Sequence, residues 1–223
     1  MYKYFYLLTL LFTNCIIHAQ SSAEEIISQS IAVHDPSGNW HKLHADIEIA
    51  SIVERENKVD TSYRLLQMDL KNELFKMTSF SAKDTSEVIY DGKPCDDCDR
   101  AKMFNNYFRY LLGMPMKLRD PGTIIHEEIQ VLDYKGVPYQ VVKVTYDPEI
   151  GSDTWLFYFH PKTSVLELVE FSKDGTFQSG ETIELNNKIK YQKMLLPGQL
   201  KWLVLPDRRF LAEENIKYSI PKK

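Results

Sequence analysis

Residues 154–171 read TWLFYFHPKTSVLELVEF, and this stretch decides the fold class. Two runs rich in aromatic and β-branched residues, Thr154 to Phe159 and Val165 to Phe171, flank the turn sequence His160-Pro161-Lys162-Thr163. Two such runs around a short break predict a β-hairpin. The apolar face of this hairpin must be covered by other elements of the chain.

Further strands are predicted on both sides of the hairpin. Ala45, Ile47 and Ile49 alternate with polar residues, which is typical of a strand with one solvent-facing side. The other predicted strands lie between turn sequences and cover 57–70, 73–80, 85–90, 124–134, 139–146, 180–191, 200–205 and 210–220. About ten strands without a regular βαβ alternation predict an antiparallel α+β protein.

Two helices are predicted to cover this sheet. The first begins at the capping box Ser22-Ala23-Glu24-Glu25, and an apolar stripe follows it as far as His34. The second begins near Asp99, has two aromatic-rich rows at helical spacing, and ends at Gly113, where a left-handed C-cap is expected. The sequence therefore predicts a strongly curved antiparallel sheet, a half-barrel that encloses both helices and leaves an apolar hollow.

Residues 1–19 are predicted to be a cleavable signal peptide. Lys3 precedes the apolar run Tyr4 to Phe12, and a small-residue exit follows. This run is much shorter than the roughly 20 residues of a membrane-spanning helix. Cys15 raises the alternative of a lipoprotein signal, but no small residue precedes it. We therefore expect residues 20–223 to form a single periplasmic or secreted domain without an integral membrane segment.

The composition argues against several classes of partner. The formal net charge of the chain is −4, and it falls by one unit when Lys3 leaves with the signal peptide. An acidic chain with scattered lysines has no basic patch for nucleic acid and no polybasic segment for a membrane surface. Because motifs for phosphate cradling, a nucleophile elbow or a zinc-binding helix are also missing from the sequence, we expect neither a cofactor nor a metal.

The two cysteines of the predicted mature chain, Cys95 and Cys98, lie close together in a turn-like segment. In an oxidising compartment such a pair is expected to form a local disulfide. A redox centre is the alternative, but Asp96, Asp97 and Asp99 would raise the pKa of the thiols and oppose it. Metal binding is a further alternative, which lacks the second cysteine pair of a typical zinc site.

Two polar segments, 115–123 and 146–155, interrupt the strand pattern with prolines, glycines and charges. The functional interpretation is that they form the rim of the hollow, where Lys117 and Arg119 would meet an anionic head group. The structural alternative is that Asp120 and Asp153 satisfy backbone donors within these turns.

The leading functional hypothesis is a non-catalytic periplasmic protein that binds or carries an acyl chain or another hydrophobic ligand. The candidate lining residues are aromatic side chains that are equally good core residues: Phe104, Phe108, Trp155, Phe157 and Phe159. An accessory or interaction domain of the cell envelope is the second hypothesis. The third is a hydrolase that uses Asp120, Asp153 and His126.

Three stretches of the sequence resemble an uncharacterised family of proteins exported by Gram-negative bacteria. They cover 32–40 (AVHDPSGNW), 104–123 (FNNYFRYLLGMPMKLRDPGT) and 144–159, which contains GSDTW. This family has no established activity, so the resemblance implies an exported protein of unknown function. By architecture the chain is more distantly similar to the superfamily of periplasmic lipoprotein carriers and regulators, which implies an incomplete β-barrel that wraps helices over an apolar cavity.

Overall fold

The computed structural model describes residues 21–55, 58–80, 84–93 and 98–221, and it has the predicted α+β architecture. Helix α1 spans Ala23–His34 and helix α2 spans Asp99–Gly113. The strands of the described residues are β1 His44–Arg55, β2 Lys58–Asp69, β3 Leu74–Phe80, β4 Thr85–Tyr90, β5 Thr123–Tyr134, β6 Val137–Tyr146, β7 Thr154–Phe159, β8 Leu166–Ser172, β9 Glu181–Asn186, β10 Ile189–Tyr191, β11 Met194–Leu196, β12 Gln199–Val204 and β13 Arg209–Ser219. The short 3₁₀ helices Trp40–Lys42 and Met116–Arg119 precede β1 and β5.

Eleven of these strands form one antiparallel sheet in the order β4-β3-β2-β1-β13-β12-β9-β8-β7-β6-β5, while β10 pairs only with β11. Most neighbours in the sheet follow one another along the chain. The main exception joins β1 to β13, where Asp46 lies opposite Ser219 and Val53 opposite Ala212. In the described part of the chain the sheet ends at β4 and β5, so the barrel does not close.

Both helices pack on the inner face of the sheet. Alternate residues of the strands face this side, because successive side chains of a strand point in opposite directions. The resulting core contains residues of β1, β2 and β7 together with both helices, among them Ile27, Ile47, Leu66, Phe108, Leu112, Phe157 and Phe159. The hairpin predicted from residues 154–171 is confirmed as β7 and β8, with Trp155 opposite Phe171.

A smaller buried cluster, which includes Leu156 and Tyr158 of β7 and Leu168 of β8, lies on the outer face of these two strands beside a hydrogen-bond network. The Glu170 carboxylate accepts hydrogen bonds from the hydroxyls of Tyr158 and Thr182 at 2.7 and 2.9 Å and from Nη2 of Arg208 at 2.7 Å. Glu170 is only 3% exposed. A buried carboxylate is tolerated only when such partners replace water, so this network holds β8, β9 and the loop before β13 together.

The two helices begin and end close to the predicted positions. Ser22 caps α1 through the expected capping box with Glu25. For α2, Cys98 is the N-cap and Asp99 is the first helical residue. The prediction of a left-handed C-cap at Gly113 is wrong, because Gly113 is the last helical residue and its φ is not positive. A Cβ atom at Gly113 would lie 2.3 Å from Cζ2 of Trp40, so close packing explains the glycine.

Two predictions concern residues outside the described ranges. The signal peptide and its cleavage site lie before residue 21, and Cys95 lies between residues 93 and 98. The cleavage and the disulfide therefore stay predictions. Among the described helices, none is both long and apolar enough to cross a membrane.

His34 ties the end of α1 to two strands. Its Nδ1 lies 2.8 Å from the carbonyl oxygen of Leu195, and its Nε2 lies 3.2 Å from the backbone nitrogen of Leu166. The neutral ring with a proton on Nδ1 satisfies both contacts, since Nδ1–H donates and Nε2 accepts. Burial, with a smaller effect of the charge on Lys188, lowers the pKa of His34 to about 4, although the bond to Leu195 opposes this.

We expect His34 to make the stability of the fold depend on pH. The His34 ring binds a proton near pH 6.5 in the unfolded chain and only near pH 4 in the folded chain. The contribution of the neutral ring to the stability of the fold is therefore complete above pH 6.5 and is lost as the pH falls towards 4. Between pH 7 and pH 4.5, this loss should reach about 2–3 kcal/mol of unfolding free energy. Urea unfolding at both pH values measures it. His34→Gln, which keeps a donor and an acceptor but does not titrate, should remove this part of the pH dependence; an unchanged dependence contradicts the assignment.

Candidate functional site

A cavity of about 700 Å³ opens between helix α2 and the two polar segments singled out in the sequence. We call it the loop cavity. Helix α2 contributes Asn106, together with Arg109 and Tyr110, which follow Asn106 by three and four residues and so lie on its side of the helix. The segments 115–123 and 146–155 supply the remaining walls. The volume lies within the range of about 300–1,000 Å³ that is usual for small-molecule sites.

The pairing of β5 with β6 explains why the two segments meet. In an antiparallel pair the start of one strand lies beside the end of its neighbour, and here Thr123 lies opposite Tyr146. The segment before β5 and the segment after β6 therefore emerge at the same edge. The backbone N–H of Asp147 then donates to the carbonyl oxygen of Gly122, with 2.9 Å between nitrogen and oxygen. A Cβ atom at Gly122 would lie 2.8 Å from Cγ1 of Ile150, so a glycine lets the segments approach.

Aromatic rings form one wall of the loop cavity. The rings of Tyr110 and Trp155 meet edge to face at 5.1 Å, and those of Tyr110 and Tyr146 at 6.0 Å. The two tyrosine hydroxyls are hydrogen-bonded to each other. Burial raises the pKa of Tyr146 to about 12, and burial also raises the pKa of Tyr110 well above its ordinary value. Both hydroxyls therefore stay neutral and can donate hydrogen bonds at physiological pH.

This wall continues from the cavity into the core. Trp155 stacks on Phe171 at 4.6 Å, and its ring lies 6.2 Å from that of Phe157. Phe157 in turn stacks on Phe159 at 6.5 Å. The row of rings changes from partly exposed at Trp155 to fully buried at Phe159. The loop cavity is thus the point where the packed apolar interior of the half-barrel reaches solvent.

The charged groups of the loop cavity are unevenly paired. Lys117 and Asp120 form a salt bridge. Arg109 forms no salt bridge within the described residues, and its buried Nε has no hydrogen-bond partner there. Asp153 is half-buried and near enough to raise the pKa of Tyr110, while Glu149 is exposed at the rim. The cavity therefore offers one cation and one half-buried anion to a ligand.

The predicted site residues divide into two groups. Trp155 and Lys117 line the loop cavity. Arg119 points to helix α1, where its Nη2 donates to the hydroxyl of Ser28 at 2.6 Å and its Nη1 bonds to Glu24. The predicted pair of Lys117 and Arg119 is therefore not brought together at the cavity.

The predicted phenylalanines lie in or against the core. Phe108, Phe157 and Phe159 are at most 2% exposed, and Phe104 packs against them from the edge. None of these four side chains is among those lining the loop cavity. Packing alone accounts for their burial, and a role in ligand binding stays a prediction. Sequence reasoning missed Arg109, although its spacing of three residues from Asn106 was the available signal.

The residues of the hydrolase hypothesis are only partly brought together. Asp120 and Asp153 both line the loop cavity, whereas His126 does not. His126 instead places Nε2 at 2.9 Å from the hydroxyl of Thr145 on the neighbouring strand. In the described residues no three His, Cys, Asp or Glu side chains are grouped to hold a metal ion. The geometry does not supply the carboxylate and imidazole contact that the hydrolase hypothesis requires.

A second cavity, of about 270 Å³, lies along β1 to β4 near Pro221. Its side chains include His44 and Asp69, whose Nε2 and Oδ2 atoms are 4.0 Å apart. It is smaller than the loop cavity and is lined mainly by one stretch of sheet. The loop cavity, where three separate segments converge, is therefore the better candidate for a binding site.

Comparisons with known proteins agree with this architecture. Residues 89–193 match the model of a family of unknown function, DUF6503. This range contains α2 and both segments of the loop cavity, but not the opening stretch 32–40. A search of curated proteins finds no match.

Solved structures share the fold at low sequence identity. A LolA superfamily protein from Nitrosomonas europaea aligns with a TM-score of 0.51 and 10% identity, over 92% of this chain and 96% of its own. A putative outer membrane lipoprotein-sorting protein domain from Vibrio parahaemolyticus aligns with a TM-score of 0.54 and 11% identity, over 90% of this chain and 95% of its own. Both likenesses concern the fold alone. The chain thus matches a family of unknown function over its central part, and its open sheet with two helices has the fold of LolA superfamily proteins.

Proposed function

We propose that the protein is a non-catalytic binding or carrier protein of the cell envelope, periplasmic or secreted, whose ligand is a hydrophobic molecule with a polar end. The loop cavity is the observation that carries this proposal. It combines an aromatic wall formed by Tyr110, Tyr146 and Trp155 with a few converging polar groups. This combination is typical of sites for small organic ligands.

The fold supports the same reading by analogy. The structure from Vibrio parahaemolyticus is described as a putative outer membrane lipoprotein-sorting protein domain, and this chain aligns with nearly all of it. A fold does not by itself assign a function. The fold supports the proposal because the half-barrel has a pocket at the open end of its apolar interior.

The depth of the cavity limits how the ligand binds. Behind Trp155 the row of rings continues with Phe157 and Phe159, which are completely buried in the core. An apolar chain that went deeper would have to displace packed core side chains, which costs free energy. We therefore expect the loop cavity to hold the polar end and the first carbons of the ligand, with Trp155 against the chain.

Native mass spectrometry of the protein purified from the periplasm tests this proposal. The expected result is a bound fatty acid, phospholipid or lipopeptide that solvent extraction recovers. The matched measurement is titration of the delipidated protein with dodecyl maltoside and dodecylphosphocholine, below their micelle concentrations and followed by isothermal calorimetry. A protein that carries no lipid and binds neither probe would contradict the proposal and favour an interaction domain.

A pair of helix variants shows whether the loop cavity is the site. Asn106 is exposed on α2 and lines the cavity, so Asn106→Trp should fill it and weaken probe binding by at least about tenfold. Met103 is 56% exposed on the same helix but does not line the cavity. Met103→Trp should therefore bind as the unchanged protein does. Equal binding by both variants would place the ligand elsewhere.

A further inference from the structure

If the proposed binding function holds, the unpaired charges of the loop cavity indicate which charges the ligand has. Lys117 is neutralised by its salt bridge with Asp120. Arg109 forms no such pair within the described residues, and Asp153 forms none there either. Both side chains are half-buried. A cation and an anion thus face the same space without contacting each other.

Arg109 is poorly satisfied in the absence of a ligand. Its Nε–H is buried and has no acceptor among the described residues. A buried donor without a partner destabilises the protein, and an acceptor supplied by a ligand removes this penalty. The planar guanidinium matches the oxygens of a carboxylate or phosphate better than it matches any other group.

Asp153 requires the opposite partner. An ionised carboxylate only accepts hydrogen bonds, so it favours an ammonium or another cationic group. The aromatic rings of Trp155 and Tyr110 stand beside it, and the faces of such rings also attract cations. Glu149 adds a further negative charge at the exposed rim.

A ligand with a single charge fits this arrangement badly. An anion held by Arg109 would leave Asp153 unpaired and would be repelled by it. A cation held by Asp153 would be repelled by Arg109 in the same way. A group that carries both charges satisfies both side chains at once.

We propose that the ligand of the loop cavity has a zwitterionic polar end, with its anionic oxygens on Arg109 and its cationic group facing Asp153 and the aromatic wall. The shared chemistry is that of an amphiphile with a phosphate or carboxylate close to an amine or a quaternary ammonium. This inference deepens the proposed function, because it names the class of ligand that the same cavity takes.

Four amphiphiles with the same dodecyl chain test the inference by isothermal calorimetry. They are dodecylphosphocholine, dodecanoate, dodecyltrimethylammonium and dodecyl maltoside, each kept below its micelle concentration. We expect the zwitterion to bind at least about tenfold more tightly than either singly charged probe, since hydrogen bonds to charged groups are among the stronger ones.

Two charge-removing variants should change selectivity in opposite directions. Arg109→Gln should weaken the binding of dodecylphosphocholine and of dodecanoate by about tenfold. It should strengthen the binding of dodecyltrimethylammonium. Asp153→Asn should weaken the binding of dodecylphosphocholine and of dodecyltrimethylammonium. It should strengthen the binding of dodecanoate. Arg100→Gln is the matched control, because Arg100 is exposed on the same helix and lies over the ring of Phe104, away from the cavity. It should leave all four affinities unchanged.

The outcomes separate this inference from the function on which it rests. If dodecanoate or the uncharged maltoside binds as tightly as dodecylphosphocholine, the inference of a zwitterionic ligand is wrong and the proposed binding function stands. If neither Arg109→Gln nor Asp153→Asn changes the order of affinities, the assignment of the two charges is also wrong. If none of the four probes binds, the proposed function itself fails.

Discussion

Phe157→Ala is expected to lower the free energy of unfolding by about 3–5 kcal/mol, which is typical of removing a large core side chain. Phe157 is completely buried in the middle of β7 and lies between the rings of Trp155 and Phe159. Alanine there would leave a cavity that the surrounding sheet and helices can fill only in part. Urea unfolding followed by circular dichroism measures the loss.

The same variant decides whether Phe157 serves the core or a ligand. As a core residue, it should cause a large loss of stability and little change in the affinity for dodecylphosphocholine in the folded protein. Trp155→Leu is the matched contrast, since Trp155 is partly buried and lines the loop cavity. It should cost only about 1–2 kcal/mol of stability and weaken binding at least about tenfold. A small stability loss with a large affinity loss for Phe157→Ala would instead show that this side chain lines a ligand space.

Gly113→Ala is expected to destabilise the protein by about 3 kcal/mol, although alanine is the better helix former. The new Cβ atom would lie 2.3 Å from Cζ2 and 2.6 Å from Cε2 of the Trp40 ring. Trp40 is buried, and its backbone N–H is held by a carboxylate oxygen of Asp35 at 2.7 Å. The ring therefore cannot move away without disturbing the end of α1.

Gly151→Ala is the control for this experiment. A Cβ atom at Gly151 would meet nothing closer than 3.9 Å, and its φ is not positive. Alanine at this position should change the free energy of unfolding by less than about 1 kcal/mol, because it restricts only the unfolded chain. If both variants unfold at the same urea concentration, the close contact between α2 and Trp40 is not a constraint on the fold.

The proposed binding site and the core are adjacent in this protein and have different physical characters. The interior of the half-barrel is filled by apolar side chains from the sheet and both helices. The loop cavity lies where α2 and the two polar segments leave that interior open. Mutations deeper in the row of rings should therefore act on stability, and those at its outer end on binding.

The local patterns of the sequence predicted most of the elements, but not the division of 180–191 into β9 and β10 or the strand β11. Alternation with period two predicted β1, which has one buried side. Two runs rich in aromatic and β-branched residues around a short break predicted the hairpin of β7 with β8. The capping box predicted the start of α1, since Ser22 and Glu25 satisfy backbone donors within a single turn. The composition of segments 115–123 and 146–155 marked both walls of the loop cavity. All of these signals act between residues that are close along the chain.

Tertiary structure alone decided what these elements face. The pairing of Asp46 with Ser219 joins residues far apart in the sequence, and no local pattern encodes such a neighbour. Gly113 was expected to serve a turn and instead makes room for Trp40, which approaches it from another element. Arg109 became a candidate ligand contact only because the fold gives it no salt-bridge partner among the described residues. Periodicity reports which side of an element is buried, whereas long-range contacts decide which groups meet there and which remain free for a ligand.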